Sequence, residues 1–298
     1  MSARWGQRLA RSSLSMLAAV AAVAQAASGP AIPAQRIVAL GGDVTEIIYA
    51  LGEERRLVCD DQTSLYPPAA TKLPQVGYLR TLSAEGVLAC RPDLIIASED
   101  AGPPAAMAQL ASTGVPLIHV TSAHSPAAVP AKIATIAQAL GAVERGRALQ
   151  AQFRTRLAAV RAQIAAFHGH PRALFLMAQG PGGAMAAGRN TAANAMLSLA
   201  GARNVADGFS GYKPLTPESA LALQPDVIVI ADYALKSLGG LDALRARPEI
   251  ASTPAGRSGR IVPVDALLLL GFGPRTPEAL SDLARALRGP DMRAAATH

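Results

Sequence analysis

Short apolar runs alternate with amphipathic stretches along most of this chain. The amphipathic stretches repeat with the period of a helix, and the apolar runs are rich in Val, Ile and Leu, as buried strands are. Seven runs are strand candidates: 36–40, 56–59, 94–97, 117–120, 173–177, 227–230 and 260–264. Alternation of this kind predicts an α/β fold with parallel strands, because each parallel pair needs a crossover connection.

An internal repeat divides the pattern in two. Residues 82–98 read LSAEGVLACRPDLIIAS, and residues 215–231 read LTPESALALQPDVIVIA. The two segments align with each other without a gap. Each copy predicts a helix with a hydroxyl-bearing N-cap that ends before a proline, followed by a buried strand. A weaker similarity relates 43–58 to 190–205, where both copies read as capped amphipathic helices ending in glycine. Two repeats in the same order predict a duplicated, Rossmann-like lobe.

A long helical pattern lies between the two copies. Apolar residues recur every three or four positions at Leu149, Phe153, Leu157, Val160, Ile164 and Phe167. We expect one continuous helix over 143–168, about 39 Å long at 1.5 Å per residue, although two helices with an intervening break stay an alternative. A single rigid helix between lobes predicts small closure motions and an interlobe ligand cleft that is largely formed before binding.

The first residues have the pattern of a secretory signal peptide. Arg4, Arg8 and Arg11 precede an apolar run over 14–24, and small residues follow it. The run is short for a membrane span.

The predicted organisation is a signal peptide at 1–26, an N-terminal lobe at 35–141, the interlobe helix at 142–169 and a C-terminal lobe at 170–290. We expect export to the periplasm without membrane insertion.

Charge and cysteine content exclude some classes of protein. The net charge of +7 falls to +4 once the three leader arginines are removed, and the basic residues are scattered singly, so a nucleic-acid surface is not expected. The first cysteine is Cys59, too far along the chain for a lipid anchor. Cys59 and Cys90 lack CxxC spacing, and we expect two buried free thiols.

Several segments carry a resemblance to a known class of proteins. They are RIVALGGDVTEIIYALG at 36–52, TSLYPPAATKLPQVGYLRTLSAEGVLACRPDLII at 63–96, EDAGPP at 99–104, YKPLTPESALALQPDVIVI at 212–230 and GFGPR at 271–275. The chain resembles the periplasmic binding proteins that serve vitamin B12, ferric-siderophore and haem importers. The GYLR and GFGPR segments are similar to the haem-binding branch. The resemblance implies that haem is the transported ligand, with a siderophore or cobalamin as the alternative.

Tyr78 is the expected axial ligand of the haem iron. In the haem-binding branch the tyrosine of the GYxR segment ligates the iron, and this segment holds Tyr78 and Arg80. A phenolate suits ferric iron, and a neighbouring guanidinium favours the deprotonated form. Tyr66 in the TSLYPP loop is the second choice. Tyr49 is expected in the core.

The C-terminal lobe should supply the opposite wall of the haem pocket. The candidates are aromatic residues and cations that could pair with propionates: Tyr212, Lys236, Phe272 and Arg275, with Lys213 and Tyr233 as further choices. The histidines His119, His124, His168, His170 and His298 lack the spacing of a zinc site.

Glu85 and Glu218 occupy equivalent positions in the repeat. In the class that the chain resembles, these glutamates meet arginines of the two permease subunits of an ABC importer, which implies a docking role for a monomeric carrier. A catalytic pair is not expected, because carboxylates on separate lobes lie too far apart.

A Rossmann-like enzyme is a distant alternative. The LGGDVTE segment follows the first strand but lacks the GxGxxG pattern of a dinucleotide site. No GxSxG or HExxH motif is present. We therefore expect a binding protein without catalytic residues.

Overall fold

The computed structural model describes residues 34–167, 169–178 and 183–289. The predicted signal peptide at 1–26 lies outside the described residues, as do His168 and His298. Among the described residues, no helix combines the length and the apolar character that a membrane span requires.

Four parallel strands form the first sheet, called sheet A. Its strands are β1 Ile37–Leu40, β2 Leu57–Asp60, β3 Leu94–Ser98 and β4 Leu117–Val120, in the order β2-β1-β3-β4. The connecting helices are α1 Gly42–Ala50, α2 Ala84–Ala89, α3 Pro104–Ala111 and α4 Val129–Ala139, with 3-10 turns at Glu54–Arg56 and Ala70–Lys72. All four strands coincide with predicted apolar runs, which confirms the first half of the α/β prediction.

The second sheet, sheet B, is mixed. Its strands are β5 Arg172–Ala178, β6 Ala184–Ala187, β7 Arg203–Asn204, β8 Tyr212–Pro214, β9 Val227–Ala231 and β10 Ile261–Val264. The order is β10-β9-β5-β6-β8, with β7 beside β5; β5, β7, β9 and β10 are parallel, whereas β6 is antiparallel to both β5 and β8. The sequence analysis did not identify β6, β7 or β8; β7 and β8 have only two and three residues, and all three residues of β8 are at exposed positions.

Eight helices of the described chain accompany sheet B. They are α6 Ala192–Leu199, α7 Pro217–Leu223, α8 Asp232–Ser237, α9 Gly240–Ala246, α10 Pro248–Ala251, α11 Pro254–Ser258, α12 Ala266–Leu270 and α13 Thr276–Arg288. The repeat predicted from sequence is confirmed, because α2–β3 and α7–β9 are the same helix–strand unit. Ser83 and Thr216 cap the two helices by accepting hydrogen bonds from the backbone N–H three residues on.

The weaker repeat is confirmed only in part. Gly52 and Gly201 follow the two helices in the left-handed conformation, as glycine favours. Thr191 caps α6, but the N-cap of α1 is Gly41, which has no side chain, so the predicted cap of the first copy is wrong. The side chain of Asp43 instead pairs with Lys132 of α4, a tertiary contact that competes with capping.

The interlobe helix α5 runs unbroken over Val143–Ala165, about 35 Å at 1.5 Å per residue. It ends three residues before the predicted boundary. Phe153 and Leu157 are buried on one face, and the helix contacts α4 of the first half and α13 of the second. One cluster of buried apolar residues extends from β1 through α5 to β5 and β9, so the helix packs as part of a common core.

Cys59 and Cys90 form a disulfide, which corrects the expectation of free thiols. Cys59 lies in β2 and Cys90 is the C-cap of α2, and their Cα atoms are 6.3 Å apart. Spacing in sequence did not reveal this proximity, because packing of α2 against sheet A creates it. The bridge encloses the segment that carries Tyr66, Tyr78 and Glu85.

Candidate ligand-binding cleft

Polar loops follow three strands of sheet A on the same edge. Tyr78 and Arg80 lie in the loop after β2, Asp100 lies two residues after β3, and His124 lies in the loop after β4. The carboxyl ends of parallel strands meet at one edge of a sheet, and ligand crevices of open α/β folds form there. We call the side chains gathered at this edge the cleft cluster: Tyr78, Arg80, Asp100, His124, Tyr212 and Tyr233.

Arg80 links two loops of the cleft cluster. Its Nη2 donates to Oδ2 of Asp100 at 2.8 Å, and its guanidinium also interacts electrostatically with the Tyr78 hydroxyl. Although burial opposes the charge, the carboxylate of Asp100 and then Tyr78 raise the pKa of Arg80. The guanidinium therefore stays charged beside a phenol that is 45% exposed.

Two tyrosines of the second half of the chain lie near Arg80 or Tyr78. Tyr212 begins β8, and Tyr233 lies on α8 directly after β9. Burial raises the pKa of Tyr212, while the charge of Arg80 and a hydrogen bond with Thr191 oppose that rise. Burial, with Tyr212 and Tyr78 nearby, raises the pKa of Tyr233 to about 12. Tyr233 thus lies within electrostatic range of both Tyr212 and Tyr78, which come from different halves of the chain.

Exposure distinguishes these rings from core aromatics. Tyr78, Tyr212 and Tyr233 are each at least one third exposed and rank among the most exposed large apolar side chains of the described residues. Single exposed rings are ordinary, but a group of them between two sheets is typical of a surface that binds a ligand.

Phe272 lies in the hydrophobic core next to His124. Its ring centroid is 6.0 Å from that of His124, and its side chain is buried. Burial lowers the pKa of His124, the charges of Lys132 and Arg80 add to this, and Asp100 opposes it. Phe272 has a φ of 47°, an unusual conformation for a bulky residue, and its carbonyl accepts a hydrogen bond from Lys132 Nζ at 3.2 Å.

Tyr66 and Arg275 lie together in a different cavity. The guanidinium of Arg275 stacks 3.3 Å from the Tyr66 ring centroid and pairs with Glu46 of α1. The cavity, of about 330 Å³, lies between α1, α5 and the turn before α13. Tyr49, expected in the core, is partly buried and lines this cavity. The structure therefore separates the runner-up tyrosine from Tyr78 and engages Arg275 in an ion pair.

The two predicted lysines lie at exposed positions. Lys236 is in the last turn of α8, one turn after Tyr233. Lys213 lies next to Tyr212, and its Nζ is 5.2 Å from the ring centroid of Phe209. Of the two, Lys236 shares a helix with a ring of the cleft cluster.

Glu85 and Glu218 are both exposed in the first turn of a repeat helix, α2 and α7 respectively. The backbone N–H of Glu218 itself and the Thr216 hydroxyl lower the pKa of Glu218. Both carboxylates are therefore available to a partner, and neither belongs to the cleft cluster.

Sequence reasoning assigned no role to Asp100 and set His124 aside. Asp100 belongs to the EDAGPP segment and follows a predicted strand by two residues, so the strand-end rule could have identified it. Across the described residues, no group of three or more His, Cys, Asp and Glu side chains could hold a metal ion.

Comparison with known proteins identifies the family. The family model described as periplasmic binding protein matches residues 37–267. The periplasmic heme-binding protein RhuT from Roseiflexus sp. RS-1, in apo form, superposes with a TM-score of 0.82 at 46% identity, covering 85% of this chain and 97% of that one. The periplasmic heme-binding protein BhuT, in complex with two hemes, superposes with a TM-score of 0.80 at 46% identity, covering 85% and 97%.

A vitamin B12-binding protein of Vibrio cholerae is 31% identical over 205 residues, 68% of this chain and 72% of that protein. These matches agree with the two-lobed α/β fold expected from the repeat. They also support the expectation of a binding protein in place of an enzyme, since the matched family is one of periplasmic binding proteins. This chain belongs to the periplasmic binding protein family.

Proposed function

We propose that this protein binds haem in the cleft cluster and delivers it to an ABC importer of the inner membrane. The observation that carries the proposal is the position of Tyr78, an exposed phenol beside the charged guanidinium of Arg80, facing Tyr212 and Tyr233 across the cleft. A phenolate is a hard anionic ligand that suits ferric iron, and tyrosine is a known axial ligand of haem. Two similar structures at 46% identity are heme-binding proteins.

The remaining side chains of the cleft suit a flat, amphipathic molecule with carboxylates. Tyr212 and Tyr233 offer exposed aromatic rings, and Phe272 packs in the core next to His124. Lys236 lies where a cation can pair with a propionate at the rim. Arg275, already paired with Glu46, acts on the pocket by holding the turn that bears Phe272.

Hemin titration tests the proposal. The wild-type protein should shift the Soret band and develop a tyrosinate-to-iron charge-transfer band. Tyr78→Ala should remove that band and weaken binding, whereas Tyr66→Ala, which changes the other cavity, should retain the band. The opposite result would transfer the iron to Tyr66. The end point of the titration also distinguishes one bound haem from two.

Cobalamin is the second candidate ligand, because a vitamin B12-binding protein is 31% identical to this chain. Cobalamin has no propionate carboxylates and gains nothing from a phenolate–guanidinium pair. Competition between hemin and cyanocobalamin decides between them. Displacement of hemin by equimolar cyanocobalamin would favour the second candidate.

Docking to the importer is assigned to Glu85 and Glu218. Equivalent exposed carboxylates on a duplicated protein suit two basic sites on a permease dimer, and a monomeric carrier would present both at once. The removable leader at 1–26 would place the carrier in the periplasm.

Replacing both glutamates by alanine should leave hemin binding intact and abolish delivery to the importer in vesicles. Each single variant should be partly impaired, and the loss should be salt-sensitive. Glu278→Ala is the matched control, because Glu278 is also an exposed glutamate in the first turn of a helix. Full transport by the double variant would refute the docking role.

A further inference from the structure

We propose that Asp100 is a positioning residue of the cleft: it holds the guanidinium of Arg80 against the hydroxyl of Tyr78. The inference rests on the proposed function, in which Tyr78 binds the iron. Asp100 itself is not assigned a contact with the ligand and acts through Arg80.

Arg80 needs such a partner because its side chain is 57% exposed. An arginine at the surface samples many rotamers and loses conformational entropy when it is fixed. The carboxylate of Asp100, only 33% exposed, accepts one hydrogen bond from Nη2 at 2.8 Å. Since the guanidinium is planar and rigid, fixing one nitrogen also fixes the direction of the remaining N–H groups, and Tyr78 lies close enough to interact with their charge.

The backbone holds Asp100 in turn. Its N–H donates to Ser98 Oγ at 3.3 Å at the end of β3. Two residues on, Gly102 donates its N–H to the Leu79 carbonyl at 2.9 Å and accepts from Leu82 N–H at 2.8 Å. The loop after β3 and the loop that carries Tyr78 and Arg80 are therefore joined by both backbone and side-chain bonds.

In this arrangement Asp100 supports the ligand site through Arg80 without touching the ligand. Partners that orient the groups around a metal ligand typically change metal affinity by 10–100-fold when they are removed. The carboxylate of Asp100 also compensates the charge of Arg80. In this proposal Arg80 therefore interacts with the Tyr78 phenolate, and cations at the rim pair with the haem propionates. Orientation of Arg80 is thus the contribution of Asp100.

Two substitutions separate the hydrogen bond from the charge. Asp100→Ala removes the acceptor, and we expect hemin to bind about 10–100-fold more weakly. The charge-transfer band of Tyr78 should shift, and Arg80→Ala should shift it in the same way. Asp100→Asn retains an acceptor oxygen and should restore the wild-type band. Asp207→Ala is the control. It breaks another exposed Asp–Arg pair, that of Asp207 with Arg203, whose nitrogen and oxygen are 3.7 Å apart and which does not belong to the cleft cluster. An unchanged band in Asp100→Ala would overturn the proposal.

A measurement without ligand keeps this result distinct from a failure of the proposed function. The guanidinium N–H resonances of Arg80 should be observable by NMR in the wild type and broadened by exchange in Asp100→Ala. If the wild type bound no hemin, the proposed haem-binding function would be refuted. The Arg80 resonances would still decide whether Asp100 positions Arg80. Sharp resonances in Asp100→Ala would refute the positioning role.

Discussion

Glu46 and Arg275, 229 residues apart in sequence, form an ion pair that joins the two halves of the protein. Arg275 Nη2 lies 3.0 Å from Glu46 Oε2, and the backbone N–H of Arg275 donates to Oε1 at 3.1 Å. Both side chains are more than four fifths buried. Beside this pair, Lys132 connects Asp43 to the Phe272 carbonyl. The two halves are therefore held together by buried charges as well as by α5.

Glu46→Ala should lower the free energy of unfolding by about 3–5 kcal/mol, because it leaves the buried guanidinium of Arg275 without its hydrogen-bond acceptor. Burial raises the pKa of Glu46 even though Arg275 opposes the shift, so the negative charge itself is costly. Glu46→Gln keeps an acceptor and should lose much less. Denaturant unfolding at neutral pH measures both variants. Equal losses would show that the charge, not the acceptor, stabilises the junction.

Interlobe rotation on hemin binding should be only a few degrees, since α5 and the Glu46–Arg275 pair both resist bending. Small-angle scattering of the free and loaded protein measures it. Hinge-closing proteins with flexible connections rotate much further. A rotation of tens of degrees would contradict the rigid junction.

Asp60 should make stability depend on pH. Burial, followed by the neighbouring Asp61, raises its pKa from 3.8 to about 7, and both carboxylate oxygens lack a hydrogen-bond partner among the described groups. Because the folded state holds the proton more tightly, this contribution is complete below pH 3.8 and is lost as the pH rises through 7.

Asp60→Asn stays neutral and should be more stable than wild type at pH 8 by about 2–4 kcal/mol, with a smaller difference at pH 5. Chemical denaturation at the two pH values measures this. Asp242→Asn, at an exposed position of α9, is the control. The same difference at both pH values would rule out titration of Asp60 as the cause.

The Cys59–Cys90 disulfide should contribute about 3–4 kcal/mol to stability, because it closes a segment of some thirty residues in the unfolded chain. The Cys59→Ala, Cys90→Ala double variant should lose that amount in denaturant unfolding. Reducing agent should reproduce the loss in the wild type and have no effect on the variant. A wild type that is insensitive to reduction would exclude this contribution.

The periodicity of the sequence determined the principal architecture. Seven apolar runs became strands, the repeat at 82–98 and 215–231 became two helix–strand units, and the pattern over 143–168 became one helix. These features depend on local propensity and on which face of each element is apolar. Both can be determined from residues that are close together in the sequence. The GYLR segment likewise singled out Tyr78 and Arg80, which lie in the loop after β2.

Tertiary packing alone decided which distant residues meet. The disulfide, the pairing of Glu46 with Arg275 and the placement of Tyr66 with Arg275 all join segments whose spacing in sequence carries no signal. The exposed strand β8 has no apolar pattern of its own and is a strand because β6 of sheet B offers it hydrogen-bond partners. Asp100 acquires its role in the same way, since a carboxylate becomes a partner of Arg80 only when two loops fold onto one sheet edge.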